Sequence, residues 1–184
     1  VRVARSSDIL DILEFAKDFQ LKLILSGVAE GWMVADQIAK ASIPVIMDPI
    51  YNLPTAYENL GARLDNAALL NKSGVQLIFT GMGWHNTHSA YLVRQSAGNA
   101  VTNGLPKEVA IAAITSNPAE IFKIGYSGKI REGELANFVL WSGDPLEVTS
   151  EAELVMIAGE KIAMASRSLQ LRDRYFNAIK NQLN

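Results

Sequence analysis

The chain has no cysteine and only two histidines in its 184 residues. Without cysteine there are no disulfides and no thiolate metal sites, although the compartment, cytoplasmic or periplasmic, stays open. No apolar run approaches the roughly 20 residues of a membrane-spanning helix, so a soluble protein with no membrane partner is expected. Positive charge is not in excess. The net charge is −2 and there is no long basic run, so the electrostatic footprint of a nucleic-acid binder is missing. What remains is an ordinary globular composition, 49% hydrophobic and 20% charged, long enough to bury a real core.

The start, Val1-Arg2-Val3-Ala4, carries no initiator Met, no signal-peptide pattern and no helix cap. It reads as a chain entered in mid-fold, the alternative being a processed mature terminus that begins with a strand. Ile9, Ile12, Leu13, Ala16 and Phe19 then recur at helical spacing, with Ser7 as the expected N-cap and Asp8 and Asp11 in the first turn. The run Lys22–Leu25 reads as a buried strand that turns at Ser26-Gly27. A helix over about Gly31–Lys40 is expected to turn Met33, Val34, Ile38 and Ala41 inward.

Pro44–Met47 is the next strand, stopped by Asp48-Pro49. After the loop Ile50–Gly61 come a helix over Leu64–Asn71 with Gly74 as its stop, and a strand over Val75–Phe79. Helices follow over Tyr91–Val101, ended by Gly104, and from Pro106 to about Thr115. The order is therefore β-α-β-α-β-α-β-α. Its short strands lack polar alternation, which argues for parallel pairing under helices. Right-handed crossovers allow a doubly wound sheet or about four βα units of a (β/α)8 barrel. Half a barrel leaves two open edges, at Val1–Val3 and Val75–Phe79, that would pair with something.

The texture changes near Gly128. Phe138–Trp141 is a strand, and Leu154–Ile157 with Lys161–Ala163 reads as a hairpin turning at Ala158-Gly159-Glu160. A helix over Leu169–Leu183 closes the chain, with an apolar face of Leu169, Leu171, Tyr175, Phe176 and Ile179. Three units are expected: a partial α/β barrel over 1–126, strands over 127–165, and a terminal helix over 166–184.

Several segments, taken in order, resemble one family. They are AGNAV through GLP (97–106), AITSNPA (113–119), and GKIREGELANFVLW with GDPLE (128–147). Together they resemble the metal-dependent amidohydrolases, in particular the imidazolonepropionase-like and dipeptidase-like branch. The resemblance implies that residues 1–126 are the C-terminal half of a TIM-type barrel and that 127–165 are strands of a small β-sandwich. It implies hydrolysis of C–N bonds in amides, cyclic amides or dipeptides, on a small-molecule substrate, by water activated on a divalent metal, usually zinc. The missing N-terminal half, or a second copy of the chain, is the implied partner.

In that family the ligands are a His-x-His pair on the first barrel strand, a carboxylated Lys or Glu on the fourth, and single histidines after the fifth and sixth. An Asp follows the eighth. Here the strand ends Val3-Ala4-Arg5 and Leu25–Val28 hold no His, and Met82 stands where the Asp is expected. A thioether is neither a good zinc ligand nor a base. The usual site is therefore not built from this chain alone, and a metal-free, non-catalytic relative that self-associates through its open edges is the alternative reading.

The remaining candidates cluster at strand ends. His85 and His88 in Trp84-His85-Asn86-Thr87-His88 follow the last parallel strand; a spacing of three lets two imidazoles converge, while a turn or solvated loop is the plainer reading. Asp48 is a catalytic candidate or a turn residue before Pro49. Glu30, Trp84, Asn86 and Arg94 are candidates for substrate contact. For Glu30 the alternative is an acid at a helix N-terminus, and for Arg94 a loop anchor. Gly27, Gly31, Gly81 and Gly83 match no phosphate-loop spacing.

Overall fold

The computed structural model describes residues 1–81 and 90–182, with side chains for all of these except 177, 178 and 180–182. Its first sheet is made of β1 (Arg2–Val3), β2 (Leu25–Gly27), β3 (Val45–Met47) and β4 (Leu77–Phe79), hydrogen-bonded in chain order. Every pairing is parallel. The crossovers are α1 (Ser6–Asp18), α2 (Ala35–Lys40) and α3 (Asn66–Lys72), and α2 is entered through a 3-10 turn over Gly31–Val34.

Register sorts the strand residues into two faces, because successive side chains alternate across a sheet. Leu25, Val45 and Leu77 stand side by side on one face and are almost fully buried. With Ile9, Ile38 and Leu70 of the helices they form the core. Each such aliphatic side chain contributes about 1.5–3 kcal/mol by leaving water. The opposite face carries Arg2, Ser26, Ile46 and Ile78 in one row, from exposed at Arg2 to buried at Ile78.

Beyond β4 lie α4 (Val93–Thr102), α5 (Lys107–Ile114) and α6 (Ser116–Phe122). The Asn117 amide donates to the Leu77 carbonyl at 2.8 Å, which blunts part of the β4 edge. The second sheet is antiparallel, ordered β5 (Phe138–Trp141), β6 (Ala152–Ile157) and β7 (Glu160–Lys161). Its hairpin turns on Ala158 and Gly159, both at positive φ, as a two-residue turn requires. The final helix, α7, spans Arg167–Gln182, and Leu169, Tyr175, Phe176 and Ile179 on it are exposed.

The family-like segments in the C-terminal third bind the sheets to the helices. Asp144 pairs with Lys107 at the start of α5 and accepts the Leu146 amide at 3.0 Å, while Leu146 itself enters the core. A Cβ on Gly98 would lie 2.7 Å from the Leu146 carbonyl oxygen, so α4 meets this loop backbone to backbone. Gly128, at φ +67, passes equally close to Thr115.

Four local expectations are corrected. Ser7 does not cap α1: the helix begins at Ser6 without a side-chain cap of its own, and the Ser7 hydroxyl donates to Asp8. Met33 and Ala41 face outward: Met33 lies within the 3-10 turn, and Ala41 is the C-cap beyond the last residue of α2. The second strand is Leu25–Gly27, not Lys22–Leu25. The fourth begins at Leu77, two residues later than expected.

Candidate functional site

At the carboxyl ends of β1, β2 and β3, and along the row Arg2, Ser26 and Ile46, lies a cleft of about 970 Å³. Its far wall is the loop after β3, which contributes Tyr51, Asn52, Thr55 and Glu58. In open parallel α/β sheets ligands collect beyond these strand ends, where successive crossover loops splay apart.

Asp48 lines this cleft directly after β3. Its Oδ1 accepts the Ile50 amide at 3.0 Å, closing the turn at Pro49. The same oxygen accepts the Ser96 hydroxyl of α4 at 3.2 Å. Asp48 is thus both turn residue and cleft residue. Ser96 is completely buried and ties the carboxylate to a helix 48 residues away.

Glu30 is spent on structure. Its Oε2 accepts the Ser6 amide at 2.9 Å and the Ser6 hydroxyl at 3.1 Å. It therefore caps α1 from the neighbouring strand exit, at the positive end of that helix. Gly61 leaves the room it needs, since a Cβ there would lie 2.7 Å from Glu30 Oε1. Arg94 is likewise committed away from the cleft. It donates to the carbonyls of Pro145, Glu147 and Ser150 at 3.0, 2.8 and 3.2 Å and stacks over the Trp141 ring at 4.4 Å. Of these three candidates, the structure places only Asp48 on the cleft. Trp84, His85, Asn86 and His88 lie outside the described residues, as does Met82.

The second strand exit is strained. Gly27 and Val28 both have positive φ, +93° and +47°, and for a β-branched residue this is a costly conformation. Asn66 holds it: Nδ2 donates to the Val28 carbonyl at 2.9 Å, from a side chain with no exposure. Nothing in the local pattern marks Asn66 or Ser96 as important, because their partners lie 38 and 48 residues away. Arg2 and Arg5 also line the cleft; they were passed over in the sequence, where two cations flanking a short apolar strand were the one signal available.

A divalent metal is general to proteins of the resembled kind. Among the described residues no group of three or more His, Asp or Glu side chains stands close enough to hold one. Of the cleft-lining carboxylates Asp8, Asp48 and Glu58, Asp48 alone directly follows a strand, and the described donor set does not fit a metal centre.

A sequence model of the amidohydrolase family matches residues 4–166. The crystal structure of an amidohydrolase from Thermotoga maritima MSB8 is similar at a TM-score of 0.77 and 28% identity, over 88% of this chain and 42% of that one. A crystal structure of an uncharacterized protein shares the fold at a TM-score of 0.52 and 17% identity, over 76% of this chain and 40% of that one. The chain thus spans about two fifths of each. Among curated proteins none matches.

Proposed function

We propose, since the chain belongs to the amidohydrolase family, that its strand-end cleft receives a small amide-type substrate for hydrolysis of a C–N bond. In this reading residues 1–126 are the closing half of a (β/α)8 barrel, 127–165 contribute to a small β-sandwich, and 166–184 form a terminal helix. Supporting it are four parallel strands in chain order and the cleft at their carboxyl ends.

The observation that carries the proposal is the position of Asp48 in that cleft, anchored by Ser96 and the Ile50 amide. A carboxylate so fixed can take or return a proton at an amide nitrogen or at water, a role commonly worth 10²–10⁴ in rate. His85 and His88, on the segment after β4, are its proposed companions. Because the described donors do not fit a metal, no step is assigned to one.

A second reading is favoured by one observation: the row Arg2, Ser26, Ile46 faces away from the helices and is only partly covered. Pairing of that face with a second copy gives a non-catalytic, metal-free dimer. The experiment is hydrolysis of N-acyl amino acids, cyclic amides and dipeptides by metal-supplemented and chelator-treated protein, with metal content and oligomeric state measured in parallel. Turnover supports the first reading, and loss of about one equivalent of zinc in His88→Ala adds the histidines to it. A metal-free dimer with no turnover leaves the second.

A further inference from the structure

Of the eight arginines of this chain, three are engaged by partners, while Arg131, Arg167 and Arg174 are exposed and lie outside the cleft lining. Arg63 forks onto Asp65 at 2.6 Å, Arg172 onto Asp173 at 2.6 Å, and Arg94 is filled by three carbonyls. Arg2 and Arg5 differ. Both line the cleft, and neither is among the ion pairs or side-chain hydrogen bonds of the described residues. Among the described residues Arg5 is steadied by the Tyr57 ring, 5.9 Å from its guanidinium carbon. Arg2 stands in register with Ser26, whose hydroxyl shares the open face of the sheet.

We propose that Arg2 and Arg5 form an anion subsite that holds the carboxylate of a small ligand in this cleft. A guanidinium presents its donors in a planar fork that matches a carboxylate, and it is the side chain best suited to that pairing. The other charges lining the cleft decide the class of anion. Asp8, Asp48 and Glu58 also line it, so three carboxylates face two arginines. A polyphosphate would meet net repulsion there. A singly charged carboxylate avoids it, with its neutral or cationic end toward the acidic side. This deepens the proposed function, and rests on it, by naming the handle by which an amide substrate is held: a free carboxylate near the amide.

Calorimetric titration of the protein with N-acetylglycine, N-acetylglycinamide and inorganic phosphate tests the subsite by binding alone. N-acetylglycine is expected to bind at least about tenfold more tightly than the neutral amide, as one charge-assisted hydrogen bond suffices for that ratio. Arg2→Gln and Arg5→Gln are each expected to remove about tenfold of it without changing the thermal midpoint. No binding, equal binding of acid and amide, or unchanged affinity in both variants overturns the subsite, and tighter binding of phosphate overturns its assignment to carboxylates. Carboxylate binding that persists in a protein without turnover retains the subsite and removes only the hydrolytic reading.

Discussion

The Glu30 carboxylate accepts both the backbone amide and the hydroxyl of Ser6, at 2.9 and 3.1 Å. The loop leaving β2 thereby caps the helix that follows β1, adding a side-chain tie to the backbone bonds from the Val28 and Glu30 amides to the Val3 and Ala4 carbonyls at 2.7 and 2.9 Å. Two strand ends that frame a cleft are held together without any group entering it.

Glu30→Ala therefore removes the cap that α1 does not supply for itself. A loss of about 1–2 kcal/mol is expected, the scale of a helix N-cap, while Glu30→Gln keeps an acceptor and loses less. Urea unfolding monitored by circular dichroism checks the order of the two variants.

Asn66→Ala is expected to cost about 1 kcal/mol, since it removes one of the two donors on the Val28 carbonyl at a residue already held at φ +47°. The diagnostic is amide exchange. Protection should fall at Gly31, whose N–H bonds the same Val28 carbonyl at 2.8 Å, more than at Leu105 beyond α4.

Much of this was out of reach of the sequence for a physical reason. Gly74 and Gly104 were legible as helix stops because each acts within its own turn, and both adopt the positive φ that role requires. The alternation of strands and helices was legible from apolar runs. The cap of α1 was not, because its acceptor lies 24 residues away from Ser6. Strand starts shifted because an apolar run does not say which of its residues meets a partner ladder. In the site, Asp48 was visible as an acid after a strand, whereas Ser96, which holds it, looked like any serine in a helix. The Asn117, Gly128 and Asp144 segments pointed to the family, and their contacts show that they join elements.

Gly128→Ala tests one of those joints. A Cβ there would stand 2.6 Å from the Thr115 oxygen, on a backbone at φ +67. Destabilisation of more than about 1 kcal/mol is expected, whereas Gly133→Ala, with open space around it, pays only for its backbone conformation. Thermal melts of the two variants separate the steric from the conformational cost.

Acid should loosen the attachment of the second sheet. The Lys107 ammonium, and then the Leu146 amide, hold the Asp144 carboxyl below its ordinary range. A depressed folded-state value means that the stabilisation is complete above the unfolded value, near about 3.9, and is lost as pH falls through the folded one. The stability gap between the parent and Asp144→Asn should thus be present at pH 7 and close below about pH 4. Denaturant midpoints at a series of pH values check this.

The most direct measurement is turnover of an N-acyl amino acid by the parent and by Asp48→Asn, compared at equal folded fraction. Asparagine keeps an oxygen for the Ile50 amide and the Ser96 hydroxyl, so the loop stays in place while the proton-accepting group is lost. If the strand-end cleft is the reaction site, kcat falls by about 10²–10⁴ with little change in the melting temperature. Equal turnover in the two proteins, or none in the parent, contradicts it.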